Sequence, residues 1–478
     1  MTPSIKGLSS FIFFILLAAT AKSQRYIGIA TSNWSAINSV YLNPASIADC
    51  GEKMSIGILS LNAGVDNNLG LIPKIPDIGN TISNSDNIFT RSPKKNFSMM
   101  APAAVFRGPG IMFGLSKKIS IAFTTDIRAI NQFNNFDPAL YRMFSATGSL
   151  PTGNYSAKAQ NFNWTAHMWS EIGLTLGAVI SERDKHRLNF GVTIRRLGGI
   201  GYISVTGKNI DLDYQQNSNT IAASNSDIQF SSNVRNNSSA VFKNITPTGL
   251  FEKFFSGSAG GGMSTDIGFT YRYRIGEAAP SDYMESSLTH DLIFSAAVTD
   301  FGAIRYYNSA DGVIDITGNG ILGGKDLRSN ANSIASVVDY AHQHGFNVDT
   351  ATRSRKVYLP AALVLAADAQ VNGRFFVNLL YIANIANRNV FGNSYYNQLT
   401  LTPRYDFHKM TLALPLTYSM LAHDFKLGFA VRYAGFFIGS DDFMALLNKY
   451  QYGFGCYFGG YIPIFKKNND PAGLHWGS

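Results

Sequence analysis

Glu171-Ile-Gly-Leu-Thr-Leu-Gly-Ala-Val-Ile180 alternates apolar residues with small or polar ones, and Leu188-Asn-Phe-Gly-Val-Thr-Ile-Arg195 does the same. A period of two predicts β-strands, and the charged turn Ser181-Glu-Arg-Asp-Lys-His186 makes them a hairpin. In a water-soluble sandwich the apolar face points inward. In a transmembrane barrel it meets lipid, and the lumen takes residues such as Gly, Thr, Arg and Glu. The hairpin alone is compatible with both folds.

The N-terminus has the three parts of a secretory signal peptide. Lys6 precedes an apolar run from Phe11 to Ala19, and Ala21-Lys22-Ser23 supplies small residues before a cut ahead of Gln24. After this segment, residues 1–23, no run approaches the ~18 apolar residues that a membrane helix needs. We therefore expect an exported chain that has no helix with which to span a bilayer.

The composition is that of a strand-rich protein. The chain has 45% hydrophobic residues, 13% aromatic residues, 44 glycines and only 15% charged residues. Two cysteines exclude a disulfide-rich scaffold. Forty basic and 31 acidic residues give a net charge of +9, but no block of like charge carries it, so we expect no nucleic-acid partner.

Charged residues on one strand decide between the two folds. In Ser264-Thr-Asp-Ile-Gly-Phe-Thr-Tyr-Arg-Tyr-Arg274, Asp266, Arg272 and Arg274 share the face opposite Ile267 and Phe269. In a sandwich core each unpaired charge would cost several kcal/mol, whereas a wet lumen accepts it at little cost. This strand favours a barrel.

The chain contains fourteen segments with the strand pattern described above, an even number as in single-chain bacterial barrels. Short turns at 116–118, 181–186, 372–374, 407–409 and 434–435 alternate with long excursions at 130–165, 207–260, 308–355 and 440–450. We predict an all-β, 14-stranded antiparallel transmembrane barrel over 54–465, with an N-terminal hatch over 24–53 and a polar tail over 466–478. The short turns are expected on the periplasmic side. Helical patches are predicted outside the membrane at 137–145, 250–256, 334–341 and 441–450.

Several short motifs resemble those of known barrel families. Asn43-Pro-Ala45, within Ser39–Asp49, resembles a segment in the hatch of the FadL-type long-chain fatty-acid transporter family. An ordered set is similar to an uncharacterised family of outer-membrane barrels in Gram-negative bacteria that use type IX secretion. Its members are Gly260-Gly-Gly-Met-Ser-Thr-Asp-Ile-Gly268, Asp300-Phe-Gly-Ala-Ile304, Leu359-Pro360 and Ile438-Gly-Ser-Asp441. The first resemblance implies a plugged lumen and passage of hydrophobic molecules, and the second implies no established activity.

The candidate site residues are the hatch motif and a set of charged side chains predicted to face the lumen. The charged set either braces the wall around the hatch or lines a polar path, and each member should be partly hydrogen-bonded. The hatch motif is Asn43, Pro44 and Ala45, and the lumen set is Glu171, Arg195, Asp266, Arg272, Arg274, Lys426 and Arg432.

Cofactor and metal motifs are weak in this sequence. Gly318-Asn-Gly-Ile-Leu-Gly-Gly-Lys325 contains a GxGxxG but lacks a βαβ context, so we interpret it as an external loop. Asp339, His342 and His344 lack an evident further ligand, which favours a solvated loop over a metal site. We expect no enzyme, cofactor or metal.

Two functional hypotheses follow for a protein whose partner is outer-membrane lipid. One is a transporter that passes a hydrophobic small-molecule ligand across the outer membrane. The other is a non-transporting barrel that docks an outer-membrane or surface protein, as an accessory subunit of a surface or secretion-associated complex. A continuous apolar path would favour the first hypothesis, and a lumen sealed by the hatch and by paired charges would favour the second.

Overall fold

A computed structural model describes the chain from the hatch to the last strand, with gaps. The described residues are 25–49, 52–69, 96–137, 153–233, 259–274, 292–306, 313–323, 334–351, 355–388, 390–407, 409–444 and 452–465. The predicted signal peptide and polar tail lie outside them and stay predictions.

The described residues form one antiparallel sheet that closes on itself, because the first strand pairs with the last, as in Ile56 with Ile462. Twenty-one strand segments build this sheet. They are β1 Glu52–Asn67, β2 Phe97–Arg107, β3 Gly110–Gly114, β4 Ile119–Phe136, β5 Tyr155–Arg183, β6 His186–Gln215, β7 Thr220–Ser232, β8 Gly260–Tyr273, β9 Leu292–Tyr306, β10 Val313–Gly323, β11 Asn347–Ala351, β12 Arg355–Tyr358, β13 Ala362–Asn372, β14 Phe375–Asn384, β15 Gln398–Asp406, β16 Met410–Ala413, β17 Leu416–Ser419, β18 Asp424–Leu427, β19 Phe429–Tyr433, β20 Phe436–Asp442 and β21 Gly453–Phe465.

Eighteen of these segments make the fourteen strands of the barrel, because four strands are interrupted: β2–β3, β12–β13, β16–β17 and β18–β19. Three of the interruptions contain a proline, at Pro109, Pro360 and Pro415, and the fourth falls at Gly428. Proline has no N–H to give to a neighbouring strand, so the ladder breaks locally while the strand direction continues. The prediction of a closed 14-stranded antiparallel barrel is confirmed.

The outer face of the wall is apolar, as the alternation on β5 predicts. Leu174 is 62% exposed and Ile180 57% exposed, whereas Thr175 on the opposite face is fully buried. The buried face points to a lumen that is filled, so exposure marks the lipid side. This pattern is that of an outer-membrane barrel and excludes a sandwich.

The predicted long loops are wrong in part, since they contain strand residues. In the loop predicted at 130–165, β4 extends to Phe136 and β5 begins at Tyr155. From Ile203 onward β6 leaves β8 and pairs with β7, which pairs in turn with β10, and β10 with β11. Ile210, Leu212 and Tyr214 alternate on β6 and bury their side chains in an aromatic cluster. The GxGxxG stretch, predicted as a loop, therefore lies mostly in β10.

Helices are few in the described part of the chain. The patch at 334–341 is confirmed as α1, Ile334–Gln343, whose Ala341 packs into the same aromatic cluster. The patch at 441–450 is corrected at its start, because Asp441 and Asp442 end β20. The patches at 137–145 and 250–256 lie almost wholly outside the described residues. No α-helix that the structure describes is long and apolar enough to cross a membrane.

The N-terminal segment fills the lumen. Two 3-10 helices, Ala36–Tyr41 and Pro44–Asp49, form its compact part, and β1 follows directly from Glu52. The side chains of Ile37, Val40 and Ile47 are buried against wall residues such as Met112.

A charged side chain on the lipid-facing surface should lower the free energy of unfolding most near the bilayer midplane. We expect Leu174→Arg to lower the free energy of unfolding by ~2–4 kcal/mol, because the new charge meets hydrocarbon. Val371→Arg, at a similarly exposed position beside the β13–β14 turn, should cost at most ~1 kcal/mol. Urea titrations in phospholipid vesicles, followed by tryptophan fluorescence, measure both; equal costs would contradict the assignment of the lipid-facing surface.

Candidate functional site

The hatch motif is hydrogen-bonded to the barrel wall. Nδ2 of Asn43 donates to the carbonyl of Phe269 on β8 at 2.9 Å and to Oγ of Ser295 on β9 at 2.7 Å. Oδ1 of Asn43 accepts from the backbone N–H of Ala45 at 2.9 Å. Asn43 therefore shapes the hatch turn and fixes it to two neighbouring strands.

Glycines on the lumen face make room for this contact. A Cβ atom at Gly191 would overlap the backbone of Pro44 and Ala45, and one at Gly268 would overlap Oδ1 of Asn43. At Gly177 a Cβ atom would lie 3.0 Å from the backbone N of Ala48. The glycines on β5 and β6 are thus required by the close approach of the hatch backbone, and the glycine on β8 by that of the Asn43 side chain.

A network of buried charges lies on the lumen face of strands β4, β5, β6, β8 and β9. The guanidinium of Arg195 donates to both carboxylate oxygens of Asp266, at 2.7 and 2.5 Å, and its Nε lies 3.3 Å from Oε2 of Glu171. Arg128 donates to Oε1 of Glu171 at 3.0 Å and to Oδ1 of Asp300 at 2.8 Å. All five side chains are at least nine-tenths buried.

A β-bulge positions one member of the network. Asp300 has a φ of +58°, in the left-handed region that a residue with a side chain rarely adopts. The β8–β9 register shifts at this point, and the backbone N–H of Asp300 donates to Oδ1 of Asp266 at 2.7 Å. The bulge therefore brings two carboxylates to the same arginines.

The hatch contributes to the same network. Tyr41 donates its phenol proton to Asp126 at 3.1 Å, and the Arg107 guanidinium lies 3.5 Å from the centre of the Tyr41 ring and 4.0 Å from that of Tyr26. Burial, followed by the charge of Asp126, raises the pKa of Tyr41 well above its ordinary value, so the phenol keeps its proton. Arg25 donates to the Thr299 hydroxyl at 2.8 Å.

Formal charges in this network balance. Four arginines face four carboxylates, and all of them except Asp266 line a cavity of about 20 Å³, which has room for about one water molecule. The arginines are Arg25, Arg107, Arg128 and Arg195, and the carboxylates are Asp126, Glu171, Asp266 and Asp300.

An inward-folded loop closes the lumen from the other side. The loop that joins β14 to β15, residues 385–397, places the Tyr395 phenol between Arg128, from which it accepts at 2.8 Å, and Asp300, to which it donates at 3.0 Å. Gln132 on β4 exchanges two hydrogen bonds with the Ser394 backbone, at 2.7 and 2.8 Å. Burial raises the pKa of Tyr395, which therefore remains a proton donor.

A second buried cluster holds the hatch at the end of the barrel that carries the short turns. Arg404 donates to both oxygens of Asp368, at 2.5 and 2.7 Å, and to Asp406 at 2.9 Å. It also donates to Oδ1 of Asn33 in the hatch at 3.4 Å, and Arg432 lies 5.4 Å from the Trp34 ring. The hatch is therefore tied to strands on both sides of the lumen.

The seven predicted lumen residues divide into three groups. Glu171, Arg195 and Asp266 belong to the central network, whereas Arg432 and Lys426 are buried apart from it, the latter 3.3 Å from Asp66. Arg272 and Arg274 are half-buried beside the β5–β6 turn, where the Arg274 N–H donates to the carbonyl of Lys185. Sequence reasoning missed the remaining partners, although their period-two positions could have identified them. The missed residues include Arg107, Asp126, Arg128, Asp300, Asp368, Arg404 and Asp406.

The wall is interrupted beside the hatch. Between β2 and β3, Gly108 and Pro109 have no ladder partner on β1, whereas toward β4 the Gly108 N–H donates to the carbonyl of Thr125 at 2.7 Å and the Thr125 hydroxyl donates to the carbonyl of Pro109 at 2.8 Å. A cavity of about 20 Å³ at this break is lined by Ile37 and Tyr41 of the hatch and by Arg107. Tyr41 and Arg107 also line the central cavity. One hatch side chain, Tyr41, and one wall side chain, Arg107, thus separate the central cavity from the break in the wall.

No metal site is found among the residues that the structure describes: no three His, Cys, Asp or Glu side chains are placed to share an ion. His344 instead contacts the backbone carbonyl of Tyr340 through Nδ1 at 2.7 Å.

A side chain at Gly191, where the hatch backbone contacts the wall, should displace the hatch. We expect Gly191→Ala to accelerate hydrogen exchange in residues 36–49 while leaving strand exchange unchanged, because the added Cβ overlaps the hatch backbone. Gly57→Ala is the matched control, since its Cβ would meet its nearest neighbour, Ile37, at 3.6 Å. Hydrogen–deuterium exchange mass spectrometry measures both variants. Unchanged exchange of 36–49 in Gly191→Ala would contradict the close seating of the hatch.

Removing one cation should leave buried carboxylates unpaired. We expect Arg195→Gln to destabilise the barrel by ~3–5 kcal/mol, because Asp266 and Glu171 lose their partner in a water-poor site. Lys208→Gln removes an exposed partner of Asp227 and should leave stability unchanged. The midpoint of the heat-induced mobility shift on gels reports both changes, and similar midpoints for the two variants would argue against a structural network.

No curated protein matches this chain. The fold is similar to several solved outer-membrane proteins at low identity. A mutant of the monoaromatic hydrocarbon channel TodX is 10% identical over 89% of this chain and 93% of its own, with a TM-score of 0.42. The toluene transporter TbuX of Ralstonia pickettii is 11% identical over 90% and 94%, with a TM-score of 0.37. A FadL homologue of Pseudomonas aeruginosa is 10% identical over 93% and 97%, with a TM-score of 0.39.

These likenesses are too distant to carry an argument about function. The family comparison is stronger, because one family model matches residues 44–441, which include Pro44 and Ala45 of the hatch motif and most of the barrel. The link to type IX secretion stays a prediction. The chain belongs to DUF5723, a family of unknown function.

Proposed function

We propose that this outer-membrane barrel passes hydrophobic small molecules, and that they leave the lumen through the wall beside the hatch. The observation that carries the proposal is the break at Gly108 and Pro109, where the wall cavity and the central cavity share Tyr41 and Arg107. On the β1 side Gly108 and Pro109 have no ladder partner, so the wall offers less resistance there to a molecule moving sideways into lipid.

An apolar lining on the outer side supports this route. A cluster of buried apolar side chains follows the charged network toward the outer end, and the aromatic cluster beneath α1 lies beyond it. Apolar walls suit a hydrophobic ligand, whereas a polar solute would lose hydrogen bonds there. The first cluster includes Met100, Ile130, Trp169, Tyr202, Ile304, Tyr306 and Tyr396.

The structure corresponds to the closed state of such a route. The hatch, the charge network and the loop 385–397 all occupy the lumen, so passage requires the hatch to move. Tyr41 lies at the junction of both cavities, and its displacement from Arg107 and Asp126 is the smallest change that would join them.

The closed lumen is also the observation that favours the alternative function. A barrel whose described lumen is filled from both ends is suited to present its outer sheet to a protein partner. Purification of the tagged protein from native outer membranes in mild detergent, with mass spectrometry of bound proteins and extracted small molecules, separates the two. A stoichiometric apolar ligand supports passage, and a stoichiometric protein with no ligand supports docking.

Restoring the wall should slow passage. We expect Pro109→Val to reduce uptake of a radiolabelled long-chain fatty acid by cells that lack other transporters for it, because valine supplies the missing N–H. Pro463→Val, inside the paired part of β21, is the matched control and should retain uptake. Equal uptake by both variants and the parent would refute exit at the break, and no uptake by the parent would refute fatty-acid passage.

A further inference from the structure

Three cations lie on the outward face of the wall near its outer end. Arg196 on β6, Arg305 on β9 and Lys356 on β12 are all exposed. Arg196 lies on the same outward face of β6 as Ile194, which is 48% exposed. Lys356 lies on the same outward face of β12 as Tyr358. Cations on a lipid-facing surface cost several kcal/mol at the midplane and little at the interface. These residues therefore mark the outer edge of the apolar belt.

Strand pairing brings the three cations into one area. Arg305 lies directly opposite Lys356 on one side and Gly261 on the other, and Gly261 lies opposite Gly198 on β6. Arg196 is two residues from Gly198, so the cations border a surface roughly 10–15 Å wide, given a strand spacing of about 4.8 Å. The two glycines leave the middle of this surface without side chains.

Large apolar side chains lie on the same outward face, level with Arg196 and closer to the midplane than Arg305 and Lys356. Phe301 is 67% exposed, Met263 64% and Tyr358 43%. Met263 lies opposite Arg196 in the strand pairing. Tyr358 lies opposite Ala303, the residue midway between Phe301 and Arg305 on β9. A headgroup of negative charge above and acyl chains below would match this arrangement.

Two of the three cations have no carboxylate partner in the part of the chain that the structure describes. No ion pair joins Arg196 or Lys356 to a described Asp or Glu. In the lumen, by contrast, every arginine of the central network lies near a carboxylate. Arg196 and Lys356 are thus placed for an anion from outside the chain.

We infer that this patch binds a phosphorylated glycolipid of the outer leaflet, of the lipid A type, through its phosphate groups. An arginine guanidinium matches phosphate in a two-pronged geometry, and lysine adds a point charge. Cations spread over roughly 10–15 Å match a headgroup with a phosphate at each end better than a phospholipid with one. The acyl chains lie on Met263, Phe301 and Tyr358.

The test uses the full-length protein in detergent and native mass spectrometry with two probes, diphosphoryl lipid A and phosphatidylglycerol. The triple variant Arg196→Gln, Arg305→Gln, Lys356→Gln is compared with the control Lys118→Gln, Lys158→Gln, Lys409→Gln. The control removes the same number of exposed charges elsewhere on the chain. Heat-induced mobility shifts on gels establish that both variants are folded.

We expect the parent and the control to retain one lipid A, and the patch variant to bind it at least about tenfold more weakly, as for the loss of one charge-assisted contact. Added salt should weaken lipid A binding to the parent. Equal retention by the patch variant and the control would overturn the site. Equal retention of phosphatidylglycerol and lipid A by the parent would overturn the assignment to a glycolipid.

Discussion

The neutralisation of buried charge inside the lumen is the constraint on which the rest of the structure depends. Arg195 holds Asp266 and Glu171, and Arg128 holds Glu171 and Asp300, in a space too small for more than about one water molecule. Each of these charges would be costly if its partner were removed. The bulge at Asp300 and the inward position of the loop 385–397 both serve this pairing, since each adds a donor to a carboxylate.

The same constraint explains how the hatch is held and what its movement would require. Its backbone approaches the wall at Gly191 and the side chain of Asn43 approaches it at Gly268, and its polar side chains complete wall contacts through Asn43 and Tyr41. Displacing the hatch therefore breaks several hydrogen bonds but leaves the pairs between wall residues intact. A closed lumen that opens beside the hatch is consistent with the proposed passage of hydrophobic molecules through the wall.

The sequence predicted the barrel well because its signal is local: the alternation on strands such as β5 repeats every two residues. It failed where a strand continues beyond the membrane, since β6 runs to Gln215 and the Asn- and Ser-rich composition there suggested a loop. The sequence predicted only some of the charged lumen residues, because the position of a residue on a strand determines which face its side chain lies on but not which residue it pairs with. Arg128 meets Asp300 from 172 positions away, a pairing that no local pattern contains.

The electrical conductance of the protein in planar lipid bilayers tests the central claim most directly. A lumen filled by the hatch, by the loop 385–397 and by paired charges should pass no steady ion current. A variant that lacks residues 25–49 and has a short Gly-Ser linker in place of the loop 385–397 should pass a stable current, because both segments that close the lumen are removed. A steady current through the parent protein, or none through the deletion variant when it is shown to be folded, would contradict this account of the lumen.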